Sequence, residues 1–235
     1  ETIKVWTRDG SGNYHTVETL RVKGHVDRSE PAFALTYDQD SKTLFSGDID
    51  GIIKVWTPDG SGNYQKNATQ TLPGHSEPAF ELTFDQGSKT LFSGHREDIK
   101  VWTRDGEGNY HAGSKLRSSC WVEFTWVRDG CVHEMYTTPE YVDVLAYDQE
   151  TKTLFSGHSD GIIKVWTRDS SGNYHDTQTL EGHRHSTRTR LNALILDHET
   201  KTLFSGSYDK TIKVWTPDGS GGYHASSTQT LTGHS

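Results

Sequence analysis

The chain has 235 residues, of which 31% are apolar and 24% are charged, and its formal net charge is −8. The acidic balance disfavours a nucleic acid or an anionic membrane as partner, and no apolar stretch reaches the about 20 residues that span a bilayer. An apolar fraction this low also disfavours one thick core, and it favours thin sheets that bury modest faces against their neighbours.

A repeat organises the chain from its first residues. The tetrapeptide Ile-Lys-Val-Trp ends at Trp6, and a Gly-rich turn and a second strand follow it. The same tetrapeptide ends again at Trp56, Trp102, Trp166 and Trp215, at intervals of 50, 46, 64 and 49 residues. Recurrence at this period indicates stacked structural repeats.

Each complete unit is predicted to contain four short strands separated by turn residues. In the first complete unit they are Phe33–Asp38, Thr43–Ser46, Ile52–Trp56 and Tyr64–Leu72. We expect a single domain over 1–235 with a partial unit at about 1–25 and complete units at about 26–75, 76–132, 142–183 and 184–235. The long interval of 64 residues predicts an inserted hairpin at 112–141.

Large apolar side chains occupy both faces of the third strand. Ile53 and Val55 point to one face and Trp56 to the other, because successive side chains alternate in a strand. A sheet that is apolar on both faces must stack against two other sheets. The pattern therefore predicts an all-β fold of stacked four-stranded antiparallel sheets.

Cysteine is sparse, with Cys120 and Cys131 in the inserted segment. In a regular hairpin Cys131 is expected to lie opposite about Val127, which leaves Cys120 beyond the about 7 Å between Cα atoms that a disulfide permits. A chain without disulfides is typical of the cell interior, and we expect a cytoplasmic location.

These units resemble the repeats of the WD-repeat β-propeller family. The resemblance implies a propeller of four-stranded antiparallel blades, and a buried set of His, Ser, Asp and Trp that holds each blade together. Carried over to this sequence, that set comprises His25, Ser46, Asp50, Trp56, His75, Ser93, Trp102, Ser156, Asp160, Trp166, His183, Ser205, Asp209 and Trp215. The third complete unit lacks the preceding Gly-His, and the Asp position of the second is ambiguous between Glu97 and Asp98.

The number of predicted strands does not determine how the ring of blades closes. Residues 1–22 supply the third and fourth strands of a blade, and the first two occur at neither end of the chain. The chain could be part of a larger ring, a five-bladed ring with a short first blade, or a ring closed by a second copy. Self-association through an open blade edge would follow from the third alternative.

Function is expected where the units differ from one another. The segments before the first strand and the turns between the second and third strands vary most, and in WD-repeat proteins these loops share one face where peptides dock. We therefore predict a non-catalytic scaffold that binds a protein or peptide partner. The predicted binding residues on this face are Arg28, Glu30, His95, Arg96, His158, Arg184, His185 and Tyr208.

A carbohydrate-binding protein and an enzyme are the two alternatives to the scaffold. The repeated Gly-rich loops carry Tyr14, Tyr64, Tyr110, Tyr174 and Tyr223, which in a lectin-like propeller could stack on saccharide rings. An enzyme is disfavoured, because the Ser, His and Asp sets recur with Trp in unit after unit whereas a catalytic triad is one asymmetric site. No catalytic residue, metal site or cofactor is predicted.

Overall fold

The computed structural model describes residues 2–21, 32–65, 67–73, 78–79, 81–95, 98–117, 124–128, 131–135, 141–183 and 189–232. These residues form twenty β-strands and no helix, as the repeat pattern predicts. The strands assemble into four four-stranded and two two-stranded antiparallel sheets.

The strands follow the repeat in chain order. An N-terminal hairpin consists of β1 (Thr2–Arg8) and β2 (Tyr14–Arg21). Blade 1 contains β3 (Ala32–Asp38), β4 (Thr43–Asp48), β5 (Ile53–Trp56) and β6 (Gln70–Leu72). Blade 2 contains β7 (Glu81–Asp85), β8 (Thr90–Gly94), β9 (Asp98–Arg104) and β10 (Tyr110–Arg117). An inserted hairpin of β11 (Phe124–Arg128) and β12 (Cys131–Met135) follows.

The last two blades continue the same order. Blade 3 contains β13 (Val142–Asp148), β14 (Thr153–His158), β15 (Ile162–Arg168) and β16 (Tyr174–Glu181). Blade 4 contains β17 (Leu191–Asp197), β18 (Thr202–Ser207), β19 (Thr211–Pro217) and β20 (Tyr223–Thr232). In every blade the four strands pair in sequence order.

The turn between the first and second strands is held by the Asp that ends the first strand. In blade 1 the Asp38 carboxylate accepts bonds from the Asp40 N–H at 3.1 Å and from the Ser41 hydroxyl at 2.6 Å. Lys42 then takes a left-handed conformation, with φ of 58°, and its equivalents Lys89, Lys152 and Lys201 do the same. The shared conformation explains why the phrase around this lysine recurs in every blade.

The blades stack through complementary faces. Phe45, Ile53 and Val55 of blade 1 pack with Leu82, Phe84, Leu91 and Trp102 of blade 2 in one buried cluster. Equivalent clusters join blade 2 to blade 3 and blade 3 to blade 4. Trp56 faces the opposite way and packs on Ile3 and Leu20 of the N-terminal hairpin. The predicted division of Ile53, Val55 and Trp56 between two faces is confirmed.

Three local predictions need correction. The fourth strand of blade 1 is reduced to Gln70–Leu72, with an isolated bridge between Pro58 and Tyr64. The insert begins after Arg117 rather than at 112, since β10 completes blade 2. In the inserted hairpin, Cys131 pairs with Arg128 rather than Val127. Cys120 lies outside the described residues.

Candidate functional site

Strand register defines one end of the blades as a loop face. The start of the first strand pairs with the end of the second, as in Ala32 with Asp48 and Val142 with His158. The segment that enters each blade and the turn between its second and third strands therefore lie at the same end. We call this end the loop face, and the Gly-rich turns lie at the opposite end.

Exposed apolar side chains mark the loop face. Tyr208, in the turn between β18 and β19, is 59% exposed, and Ile49 in the equivalent turn of blade 1 is also exposed. Phe33 is exposed near the start of β3, where the register with β4 shifts between Ala32 and Ala34. A bulge of this kind redirects the extra side chain out of the ladder.

In blades 1, 3 and 4 this bulge position carries three different residues. In blade 3 it holds Asp143, which is buried and forms an ion pair at 2.7 Å with Arg190 from the segment before β17. Burial raises the pKa of Asp143, and Arg190 partly offsets that rise. In blade 4 the position holds Asn192, which is exposed. The loop face therefore differs chemically from blade to blade on a common backbone.

Two predicted members of this face are buried instead. His95 and His158 are each 1% exposed, and each ring Nε2 lies 2.9 Å from a serine hydroxyl, Ser93 and Ser156 respectively. His158 ends β14 and His95 directly follows β8, and both side chains are turned into the blade. Their assignment to the binding surface is wrong. Five other predicted residues lie outside the described ranges: Arg28, Glu30, Arg96, Arg184 and His185.

A tryptophan–serine hydrogen bond recurs inside each of the four blades. The indole N–H of Trp56, Trp102, Trp166 and Trp215 donates to the hydroxyl of Ser46, Ser93, Ser156 and Ser205 at 2.8–3.0 Å. The bond ties the second strand to the third, and its partners are buried. A buried polar group destabilises the fold unless it forms a hydrogen bond, as these indole and hydroxyl groups do.

Blade 4 holds the full set of four side chains. His183 places Nε2 at 2.8 Å from the Ser205 hydroxyl and Nδ1 at 2.8 Å from the Asp209 carboxylate. Thr211 donates to the same carboxylate at 2.7 Å. Burial lowers the pKa of His183, and the Asp209 carboxylate opposes that shift. This series of hydrogen bonds, Asp–His–Ser–Trp, thus connects the segment entering blade 4 to the second and third strands of that blade.

The other blades vary this set. In blades 2 and 3 the histidine comes two residues after the serine: His95 directly after β8, and His158 at the end of β14. In blade 1 that position is Asp48, a buried carboxylate that accepts bonds from the Asp50 and Ile52 N–H groups. Asp50 is exposed, which corrects its placement in the buried set. His25 and His75 lie outside the described residues.

The pKa of the buried His158 is strongly perturbed. Burial lowers its pKa to about 4, Lys164 acts in the same direction, and the carboxylates of Asp160 and Asp176 oppose the shift. Asp160 also accepts the Ile162 N–H at 3.0 Å and so holds the turn that leads into β15. The His158 ring is therefore neutral at physiological pH.

The tyrosines of the Gly-rich loops are mostly inter-blade packing groups. Tyr110, Tyr174 and Tyr223 are buried, and each meets a phenylalanine of the preceding blade edge to face at 5.0–5.1 Å. Their rings cannot stack on a saccharide, which corrects that alternative at three of its five positions. Tyr64 is half-buried and donates its hydroxyl to the Lys42 carbonyl at 2.5 Å, and Tyr14 is exposed.

The Gly-rich loops are closed by their own aspartates. Asp9 accepts the Ser11 and Asn13 N–H groups at 2.9 Å and contacts His15 Nε2 at 2.6 Å, and the loops at Asp105 and Asp169 repeat this arrangement. Within the described ranges, no group of three or more His, Cys, Asp or Glu side chains is placed to hold a metal ion. No helix long and apolar enough to cross a membrane occurs in the part of the chain that the structure describes.

Stacked four-stranded blades, each tied by a tryptophan–serine bond, define a repeat protein of the β-propeller class. The chain belongs to the WD40-repeat family, because the model of the WD domain, G-beta repeat, matches residues 16–57, 130–167 and 175–216, more than half of its length. Blade 2 lies outside these matches but has the same strands and the same Trp102–Ser93 bond. A comparison with curated proteins found no similar sequence. WD40 repeats generally act as scaffolds for protein–protein interaction.

Proposed function

We propose that this chain is a non-catalytic scaffold that binds a protein or peptide partner on the loop face. The observation that carries the proposal is the exposure of Phe33, Ile49 and Tyr208 at this end of the blades. Aromatic residues are enriched among the anchors of protein interfaces, and large apolar groups gain most when a partner removes them from water.

The loop face also has the variability that partner recognition needs. The turn between the second and third strands reads Ile49-Asp50 in blade 1, Ser159-Asp160 in blade 3 and Tyr208-Asp209 in blade 4. In blades 3 and 4 the Asp of the turn accepts the N–H two residues on. In blade 3 the Ser159 hydroxyl also accepts the Tyr141 N–H at 3.0 Å. The equivalent positions of blades 1 and 4 hold Ile49 and Tyr208, whose side chains are exposed.

The binding test uses tyrosines at opposite ends of the blades. The immobilised chain and its Tyr208→Ser and Ile49→Ser variants are exposed to cell lysate, and the captured proteins are compared by mass spectrometry. Tyr14→Ser is the matched control, because Tyr14 is similarly exposed (65%) but lies beside a Gly-rich loop. We expect the loop-face variants to lose the same proteins and the control to retain them. Identical capture by all four chains would refute the proposal.

Elution separates the scaffold from the lectin-like alternative. Bound material is washed first with mixed free monosaccharides and then with salt. Release by salt alone is expected for a protein interface with polar contacts. Glycoproteins released by sugar, and lost from the Tyr14→Ser chain, would favour the carbohydrate alternative.

A further inference from the structure

Six Asp-Gly dipeptides lie in the part of the chain that the structure describes. Such a pair is chemically labile, because glycine has no side chain to shield its backbone nitrogen from the carboxyl carbon of the aspartate. Two of the pairs, at Asp50 and Asp160, lie in turns of the loop face. The other four begin Gly-rich loops at the opposite end of the blades, at Asp9, Asp59, Asp105 and Asp218.

At the loop face the glycine nitrogen is already engaged. The Gly51 N–H donates to the Asp48 carbonyl at 3.1 Å. The Gly161 N–H donates to the His158 carbonyl at the same distance of 3.1 Å. A β-carbon on Gly161 would also lie 2.9 Å from Thr189, so this turn is closely packed. A bonded and confined nitrogen cannot approach the carboxyl carbon, and we expect both turns to be unreactive.

In the loop at Asp59 the nitrogen of the next residue is open. Gly60 is exposed, and a β-carbon built on it meets no atom within 4 Å. Among the described residues its N–H makes no hydrogen bond. The Asp59 Oδ1 atom accepts the Ser61 N–H at 2.9 Å. That bond closes a small ring that contains both the Asp59 carboxyl carbon and the Gly60 nitrogen, which limits the distance between these two atoms.

The Asp59 carboxylate is also weakly restrained. In the described part of the chain it accepts two hydrogen bonds, from the Ser61 and Asn63 N–H groups at 2.9 and 3.0 Å, and both reach Oδ1. Its Oδ2 atom has no partner there. Gln65 occupies the position at which three of the other Gly-rich loops carry a histidine that contacts the carboxylate.

That histidine holds the second carboxylate oxygen in two of the other Asp-Gly loops. His15 Nε2 lies 2.6 Å from Asp9 Oδ2. His111 Nε2 lies 2.6 Å from Asp105 Oδ2. These contacts lower the pKa of both aspartates. Cyclisation needs a neutral carboxyl group that can turn toward the nitrogen, so a bond that favours the ionised form opposes it.

The two remaining Gly-rich loops are protected in other ways. Asp218 accepts three hydrogen bonds at Oδ1, two of them from Ser220, at 2.7–3.0 Å. In the loop of blade 3, Ser170 follows the aspartate in place of glycine, and His175 lies 2.7 Å from the carboxylate. Asp59 therefore combines an open nitrogen with the least restrained carboxylate of the five loops.

We propose that Asp59 is a modification site, at which the Gly60 nitrogen attacks the carboxyl carbon and the peptide linkage is converted to isoaspartate. The bond from nitrogen to Cγ forms and the bond from Cγ to the hydroxyl breaks, and the hydroxyl leaves with the N–H proton as water. Water then adds to the main-chain carbonyl of the cyclic imide and opens it. The chain now continues through the side chain, with one more methylene in its backbone and a free α-carboxylate. No oxidant or reductant takes part.

The new linkage removes the acceptor that shapes the loop. The former Oδ1 becomes a backbone carbonyl oxygen, so the Ser61 and Asn63 N–H groups lose the carboxylate that they share. The free α-carboxylate is the group that an S-adenosylmethionine-dependent isoaspartyl methyltransferase esterifies, and an enzyme of this class is the partner expected at the modified loop. The loop lies opposite the loop face, so this proposal and the scaffold function can fail independently.

The first test ages the intact chain at physiological temperature and pH and follows isoaspartate in each Gly-rich loop. Electron-transfer fragmentation of proteolytic peptides locates the linkage, and enzymatic carboxyl methylation with a labelled methyl donor measures the total. We expect Asp59 to react about tenfold faster than Asp9 or Asp105, the effect of one hydrogen bond to a charged group. Equal rates at Asp59 and at Asp169, which serine follows, would overturn the proposal.

An exchange of the residues beside the carboxylate is a sharper test. Gln65→His gives the Asp59 loop the histidine of its equivalents and should slow the reaction by about tenfold. His111→Gln should speed the reaction at Asp105 by a similar factor. Gly60→Ala should also slow the reaction at Asp59 without loss of the fold, since the added β-carbon has open space. Unchanged rates in both exchange variants would show that the histidine contact does not control the reaction, and the proposal would be wrong.

Short peptides separate the effect of the fold from that of the sequence. Peptides that copy residues 57–65 and 103–111 contain one Asp-Gly pair each without the folded loop, and we expect them to react at similar rates. If the peptides reproduce the difference between the two loops of the intact chain, sequence alone causes it and the structural assignment of Asp59 fails. Amide hydrogen exchange of the aged chain should show lost protection at Ser61 and Asn63, and retained protection would contradict the loss of their acceptor.

Discussion

The ring of Tyr174 in blade 3 meets the ring of Phe92 in blade 2 edge to face, with centroids 5.1 Å apart and planes at 86°. The pairs Tyr110–Phe45 and Tyr223–Phe155 repeat this geometry at the other two junctions. An edge-to-face pair of this kind therefore recurs at every junction, and its tyrosine follows a Gly-rich loop. Phe45–Phe84 and Phe92–Tyr147 add a second ring contact at the first two junctions.

Removal of one such ring should loosen the stack. Tyr174→Ala is expected to lower the free energy of unfolding by about 3–5 kcal/mol, because it leaves a cavity between two blades. Tyr14→Ala at the equivalent position of the hairpin should change it by less than about 0.5 kcal/mol, since Tyr14 is exposed. Urea denaturation of both variants measures the difference. Similar losses in the two variants would show that the inter-blade contact is not the cause.

The serine between tryptophan and histidine should be costly to remove. Ser205→Ala leaves the Trp215 indole N–H and His183 Nε2 without their buried partner, and we expect a loss of about 1–3 kcal/mol. Ser171→Ala in an exposed Gly-rich loop is the control, because the structure uses only the Ser171 backbone N–H. Denaturant midpoints report both changes. A neutral Ser205→Ala would mean that solvent replaces the hydroxyl.

Stability should fall in mild acid because of His158. Its folded pKa of about 4 lies below the ordinary 6.5, so between these values the unfolded chain takes up a proton that the folded chain excludes. The contribution is fully present above pH 6.5 and is lost as the pH falls toward 4. At pH 5 the expected loss is about 2 kcal/mol.

The His158→Gln variant isolates this effect from other titrations. Glutamine can still bond the Ser156 hydroxyl, but it does not take up a proton in this range. The free energy of unfolding at pH 7 and pH 5 should therefore fall by about 2 kcal/mol less in the variant than in the native chain. The same pH dependence in both chains would exclude His158 as its source.

The lysine that follows the first turn of each blade should stabilise the fold only where it forms an ion pair with the preceding blade. Lys201→Met leaves the buried Asp148 carboxylate without its cation, and we expect a loss of about 1–2 kcal/mol after allowance for the partial exposure of Lys201. Lys42→Met, at the same position of blade 1, should be nearly neutral in the chain alone. Thermal unfolding at low and high salt compares them, and a loss with Lys42→Met as large as with Lys201→Met would refute the assignment.

The repeat itself determined most of the fold. A tetrapeptide with apolar side chains on both faces can be buried only between two other sheets, so Ile53, Val55 and Trp56 predict stacking without knowledge of any contact. The buried Ser–Trp bond of each blade was instead expected from the resemblance to WD repeats. Stacking follows from strand alternation alone, which is a local property of the sequence.

The burial of individual side chains was decided by tertiary structure. His95 and His158 occupy positions that vary between units, which predicts exposure. In the fold both side chains point into the blade and bond the serine that His183 bonds in blade 4. Tyr110, Tyr174 and Tyr223 follow loops in the sequence, but the preceding blade buries them. Phe33 lies in an apolar run, but a β-bulge leaves its side chain exposed. Burial depends on what lies across a face, and a repeated sequence cannot specify the neighbour that covers it.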